Sequence, residues 1–121
     1  MKQILVAENE FIIAQNIKNK LSKLGYVVTT GITESSEIMN SVRRNHYDLI
    51  LMNVRLQGDL DGIEIMNEIR TFSSIPVIYI TSVTDKLTRK RAERTAPAGF
   101  LKKPFEYDDL IEVIEQAMQR I

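Results

Sequence analysis

At 121 residues, with 44% hydrophobic and 26% charged side chains, the chain is long enough for one domain with a substantial core. Its 16 basic and 16 acidic side chains cancel, so no global field recommends nucleic acid or an anionic membrane as partner. With no cysteine and 1 histidine, disulfide frameworks, thiolate nucleophiles and Cys- or His-rich zinc sites are excluded.

The opening MKQILVAE turns acidic after an apolar run too short for a secretory signal. Every apolar run in the chain is strand-sized, so no membrane span is expected and the cytoplasm is the expected location. The first run, QILVA (3–7), leads into Glu8 and Asn9. Ile13, Ile17, Leu21 and Leu24 then recur at helical spacing, and Gly25 closes that helix. YVVTT (26–30) predicts a second strand, and Ile38 and Val42 mark a second helix capped from Thr33 or Ser35. His46 reads as a surface residue ahead of the third strand, DLILMN (48–53), which ends on the amide Asn53. Asp59 and Asp61 read as loop acids capping a helix entered through Gly62 and marked by Ile65, Met66, Ile69 and Phe72.

PVIYIT (76–81) is the fourth strand, with Tyr79 as a packing residue and Thr81 and Ser82 at its end. The fourth helix, around 84–96, offers only Leu87, Ala92 and Ala96 to a core, against Lys86, Arg89, Lys90, Arg91 and Arg94. So little apolar burial predicts either a weakly held element or a well-solvated edge helix. GFLK (99–102) ends at Lys102, expected to be solvated, and Lys103; Leu110, Val113, Ile114, Ala117 and Met118 mark the last helix. Strands alternating with helices predict an α/β fold with a parallel sheet, and all but the second strand are nearly unbroken by polar residues, as expected when helices cover both faces.

In a doubly wound sheet, ligands bind outside the carboxyl ends of the strands. Four strand ends here supply a carboxylate (Glu8), two amides (Asn9 and Asn53), a hydroxyl (Thr81) and an ammonium (Lys103). The segments VAENE, LILMNVRL, YITS and GFLKKPF, in this order and strand context, resemble the receiver domain of two-component response regulators along the whole chain. The resemblance implies a single flavodoxin-like (βα)5 domain over 1–121, with a doubly wound five-stranded parallel sheet of order 2-1-3-4-5. It places Asn53 at the position where receivers carry an aspartate that takes a phosphoryl group from a histidine kinase. Glu8, Asn9, Asn53 and the Arg55 backbone carbonyl then fall where the family holds Mg2+. Thr81 would donate to a phosphoryl oxygen, Lys103 would pair with its charge, and Phe100 would be the aromatic switch. Pro104 matches a position where the family usually has a cis peptide. The loop RLQGDLDG lacks the proline of the commoner family loop and carries an extra residue.

The amides change the chemistry. A carboxylate attacks phosphorus with a full negative charge, whereas the Asn53 amide is neutral and its nitrogen lone pair is delocalised. Mg2+ prefers hard, charged oxygens, and only Glu8 among the three positions is ionised. Glu8, Asn9, Asn53 and Lys103 sum to no net charge, so the pocket needs no cation; Lys103 is free to pair with Glu8 and to hydrogen-bond the Asn53 carbonyl. The expectation is no phosphoryl uptake at residue 53, weak or absent Mg2+, no other cofactor and no turnover activity.

Three origins fit this pattern: a receiver that has degenerated and works through protein–protein interaction, an ordinary phospho-accepting receiver inactivated by engineered Asp-to-Asn substitutions, or a rim whose role is purely structural. A hydrolase of this architecture would need the missing nucleophilic aspartate, and a flavin carrier would need a phosphate-cradling loop rich in Gly, Ser or Thr after strand one. Expected partners are a histidine kinase or an output or target protein, with no direct nucleic acid and no membrane. The basic fourth helix and the acidic last one (Glu106, Asp108, Asp109, Glu112, Glu115) suit either a homodimer through helix four, strand five and helix five or ion pairs within one copy. A stand-alone module and a piece of a longer protein fit the sequence equally.

Overall fold

Strands β1 (Gln3–Ala7), β2 (Val27–Thr29), β3 (Leu49–Asn53), β4 (Val77–Thr81) and β5 (Gly99–Lys102) alternate with helices α1 (Phe11–Lys23), α2 (Ser35–Arg44), α3 (Gly62–Ile69), α4 (Lys86–Glu93) and α5 (Tyr107–Gln119). The computed structural model describes residues 2–56, 58–82 and 85–119. Thr84, inside the expected fourth helix, and Met1, Arg120 and Ile121 of the expected 1–121 domain lie outside the described residues. Every strand pair is parallel and the order is β2-β1-β3-β4-β5, the doubly wound flavodoxin-like arrangement.

Because side chains alternate across a strand, each central strand feeds two cores. Ile4 and Val6, Leu49 and Leu51, and Ile78 and Ile80 pack with Ile17 and Leu21 of α1 and Leu110, Ile114 and Ala117 of α5. Leu5 and Ala7, Ile50 and Met52, and Val77 and Tyr79 pack on the other face with Ile38, Val42, Ile63, Ile65, Met66, Ile69 and Ala92 from α2, α3 and α4. Burial on both faces explains why β3 and β4 carry no solvent-facing position.

Local signals account for several element boundaries. Gly25, at φ 93°, ends α1: its N–H donates to Ser22 O at 3.1 Å while Tyr26 N–H reaches Leu21 O at 3.2 Å, a paired closure that needs a left-handed residue. Gly62 opens α3 against β3, where an added Cβ would overlap the Asn53 carbonyl oxygen and sit 2.8 Å from Met52 Cγ. The Lys103–Pro104 peptide is cis.

Other expectations are corrected. The α2 cap is Glu34, with no side-chain cap bond; Thr33 and Ser35 flank the cap position, and Ile38 and Val42 anchor the helix instead. Leu24 is the C-cap of α1 and is 54% exposed. Phe72 lies beyond the end of α3, at the surface under the Arg43 guanidinium, 4.1 Å from its ring centroid. Helix α4 ends at Glu93 rather than 96; Leu87 is 72% exposed and Ala96 sits at φ 53°, leaving Ala92 as its buried residue.

Candidate functional site

The register that sets Ala7 opposite Met52 carries Glu8, one residue past β1, alongside Asn53 at the end of β3. Glu8, Asn53 and Thr81 are buried, at 3%, 7% and 1% exposure, so polar groups at three strand ends have lost most of their water and must satisfy one another. Asn9 is exposed at the rim. Lys103 arrives from beyond β5, its N–H donating to Thr81 O at 2.9 Å.

Two donor groups, one charged and one neutral, serve the oxygens gathered there. The Lys103 ammonium lies 2.6 Å from Glu8 Oε1, a pair whose side chains are only 13% and 2% exposed. The Asn53 Nδ2 donates to Arg55 O at 2.6 Å and Asn9 Oδ1 at 2.9 Å, and reaches Glu8 Oε2 at 3.5 Å. Glu8 Oε2 also accepts from Glu10 N at 3.0 Å. A desolvated ion pair of this kind is strongly destabilised by removing one partner, because the other charge is left buried and alone.

Glu8, Asn9, Asn53, the Arg55 carbonyl and Lys103 thus meet in one cluster, with Thr81 joined to it through its backbone. The pairing of Lys103 with Glu8 is present, but its second partner is Glu10, at 3.4 Å, not the Asn53 carbonyl. The Asn53 NH2 faces the cluster, donating to Arg55 O and Asn9 Oδ1. Glu10 went unnoticed in the sequence because it follows the strand end by several residues and carries no periodicity; the acidic run ENE was its only signal.

Phe100 stands apart from this cluster. Half-buried on the α4 side of β5, it packs against Tyr79 with ring centroids 5.7 Å apart, and the Arg89 guanidinium lies 4.4 Å above its ring. Tyr79 is more than packing: its hydroxyl bonds Thr95 Oγ1 at 2.6 Å, and burial pushes its phenol up to about 12 against the opposing pull of that bond. Lys102 and His46 are exposed, as expected. Among the described residues no group of three or more His, Cys, Asp or Glu gathers in a way that could hold a metal ion, and no helix is long and apolar enough to cross a membrane.

Strand order agrees with one class of module, and the family model of the response regulator receiver domain matches residues 4–115. The chain belongs to this family: these residues form a signalling receiver module rather than a turnover enzyme. It is 28% identical over 119 residues to the transcriptional regulatory protein PdtaR of Mycobacterium tuberculosis, covering 98% of this chain and 58% of that protein. It is 29% identical over 111 residues to the transcriptional regulatory protein CrdR of Helicobacter pylori, covering 90% and 51%. The chain therefore spans about half the length of these curated relatives. Among solved structures, the signal receiver domain of a modulated diguanylate cyclase from Desulfovibrio desulfuricans superposes with a TM-score of 0.89 at 31% identity, covering 99% of this chain and 95% of that one. The Francisella response regulator 1452 receiver domain gives 0.87 at 26% identity, with complete coverage (100%) of both chains.

Proposed function

We propose that residues 1–121 form one receiver domain that has lost phosphoryl acceptance and works through protein–protein interaction. The observation that carries this reading is Asn53, a neutral amide 7% exposed at the end of β3, where the family resemblance puts the nucleophile. In this reading Thr81 and Lys103 keep the places of the phosphoryl-facing hydroxyl and ammonium. Glu8, Asn9, Asn53 and the Arg55 carbonyl are what remains of a Mg2+ site, and Phe100 is the aromatic switch.

The residues present do not fit Mg2+. The cluster offers one buried carboxylate, already 2.6 Å from Lys103, and a hard divalent cation needs more charged oxygen than that. Signalling would then run through a partner, a histidine kinase or an output or target protein, that favours one position of α4 and Phe100 over another. The basic α4 and acidic α5 flank β5 and suit a homodimer through that face; this domain itself needs no contact with nucleic acid. A second reading, an ordinary phospho-accepting receiver with engineered amides at residues 9 and 53, is favoured by how intact the surroundings are, with Lys103 still paired and Thr81 still buried at 1% exposure.

The test is the intact mass after incubation with acetyl phosphate and Mg2+, for the unaltered chain and for Asn9→Asp combined with Asn53→Asp. The unaltered chain gains no phosphoryl group at residue 53; a gain there overturns the proposal. Gain of one phosphoryl group by the double variant places the silence in the two amides and favours the second reading. A folded double variant that gains none has lost more of the rim than its acids, as long-standing degeneration requires.

A further inference from the structure

The two amides of the rim are not equivalent. Asn53 Nδ2 lies 2.6 Å from Arg55 O, and a backbone carbonyl only accepts. Were the Asn53 amide turned over, two oxygens would meet at that distance with no proton between them, so its NH2 must face inward. Asn9 is set by Asn53 in turn. Rotated by 180°, the Asn9 NH2 would reach Arg55 O at 3.2 Å and Glu8 Oε2 at 3.3 Å, but it would also face the Asn53 NH2 at 2.9 Å, donor against donor. Asn9 therefore presents its oxygen, and three oxygens, from Glu8, Asn9 and Arg55, converge on one NH2. The remaining Glu8 oxygen is held by Lys103 at 2.6 Å.

We infer that Asn53 is a built-in plug of this rim: its NH2 occupies the point where the Glu8, Asn9 and Arg55 oxygens converge, and excludes a divalent cation whatever the charge at residue 9. The inference rests on the metal-free reading above and adds which residue enforces it. A carboxylate at residue 9 only improves the acceptor that the Asn53 NH2 already uses. A carboxylate at residue 53 does the opposite, pressing a charged oxygen against the Arg55 carbonyl and the Glu8 carboxylate. That arrangement is unfavourable alone and favourable around a cation.

Thermal unfolding of the unaltered chain, Asn9→Asp and Asn53→Asp, each in EDTA and in excess MgCl2, tests this, with Mn2+ binding followed by electron paramagnetic resonance as a direct count. The unaltered chain and Asn9→Asp give the same Tm with and without Mg2+ and bind no Mn2+. Asn53→Asp melts about 8 °C lower in EDTA, the scale of an unpaired buried charge, and recovers with Mg2+. If Asn53→Asp folds only in MgCl2, that is the same result in stronger form. Asn9 is exposed, so Asn9→Asp folds in either buffer and its arm decides alone if the other variant is lost. A Mg2+ response of Asn9→Asp as large as that of Asn53→Asp overturns the plug, because charge alone then governs the rim, and leaves the metal-free reading of the unaltered chain intact. A folded Asn53→Asp with no Mg2+ response also overturns it. A Mg2+ response of the unaltered chain overturns both.

Discussion

Helices α3 and α4 are each 8 residues long and each begin on an aspartate cap, yet the sheet holds them by different forces. Asp61 accepts from Glu64 N at 2.8 Å while the Glu64 side chain returns to Asp61 N at 2.9 Å; Asp85 accepts from Thr88 N at 2.9 Å. Beyond the caps, α3 buries Gly62, Ile63, Ile65, Met66 and Ile69, whereas α4 buries Ala92. Helix α4 is held by polar contacts instead. Arg91 reaches Asp61 at 2.8 Å, Arg70 Nε donates to Thr95 O at 2.8 Å, and the Tyr79 hydroxyl meets Thr95 Oγ1, which donates to Ala92 O at 2.6 Å. The two ends of α3, at Asp61 and Arg70, thus grip the helix that follows. Apolar burial is non-directional and large in sum, whereas each polar contact contributes about 1 kcal/mol and exchanges readily for a partner's. A protein that docks on α4 can shift it at small cost, while α3 stays with the core.

The largest effect separates the two helices directly. Ile65→Ala empties a fully buried site (0% exposed) and costs about 4 kcal/mol in urea unfolding. Leu87→Ala, at 72% exposure on α4, changes stability by no more than about 0.5 kcal/mol. Comparable losses would mean that α4 is packed as firmly as α3. The next effect is alkaline. With the Tyr79 phenol at about 12 in the fold against 10.0 ordinarily, folded and unfolded chains both hold the proton below pH 10. Between those two values the unfolded chain releases it first, so stability falls as pH rises, by about 2 kcal/mol across the window. Tyr79→Phe loses the Thr95 bond, about 1 kcal/mol at neutral pH, but is spared that slope. Urea midpoints of the two chains converge with rising pH, and parallel profiles would remove Tyr79 from the anchorage of α4.

Much of this was legible in the chain. The five strands, the Gly25 closure, the Gly62 entry and the strand-end residues of the rim all follow from short-range pattern, because burial on two faces leaves β1, β3 and β4 almost no polar positions. Misreadings cluster where an apolar residue lies just past a helix end: Leu24, Phe72 and Ala96 continue the helical spacing, but the spacing carries no information on where the helix stops. Leu87 keeps the spacing and still points outward, since α4 has too few apolar neighbours to turn that face inward. Contacts between distant segments were hidden as well. Neither the Tyr79–Thr95 bond nor the Arg91–Asp61 pair has a sequence signature, and the approach of Lys103 to Glu10, 93 residues away along the chain, has none either.

The smallest effect is the sharpest probe of the comparison. The Arg91–Asp61 pair is partly exposed, at 37% and 29% for the two side chains, so solvent screens it and Arg91→Ala costs about 0.5 kcal/mol globally. Its local consequence differs from that of Asp61→Ala. Removing Arg91 leaves the Asp61–Glu64 capping box in place, so backbone amides of α3 keep their hydrogen-exchange protection while those of 86–93 exchange roughly two-fold faster. Removing Asp61 takes away the cap and the partner together, and costs about 1.5 kcal/mol with faster exchange in both helices. Asp61→Asn, which keeps a capping oxygen but not the charge, should behave like Arg91→Ala. If Arg91→Ala instead loosens α3 and α4 equally, the two helices open as one unit, and a partner that moves α4 must also disturb the helix that packs Gly62 against Asn53.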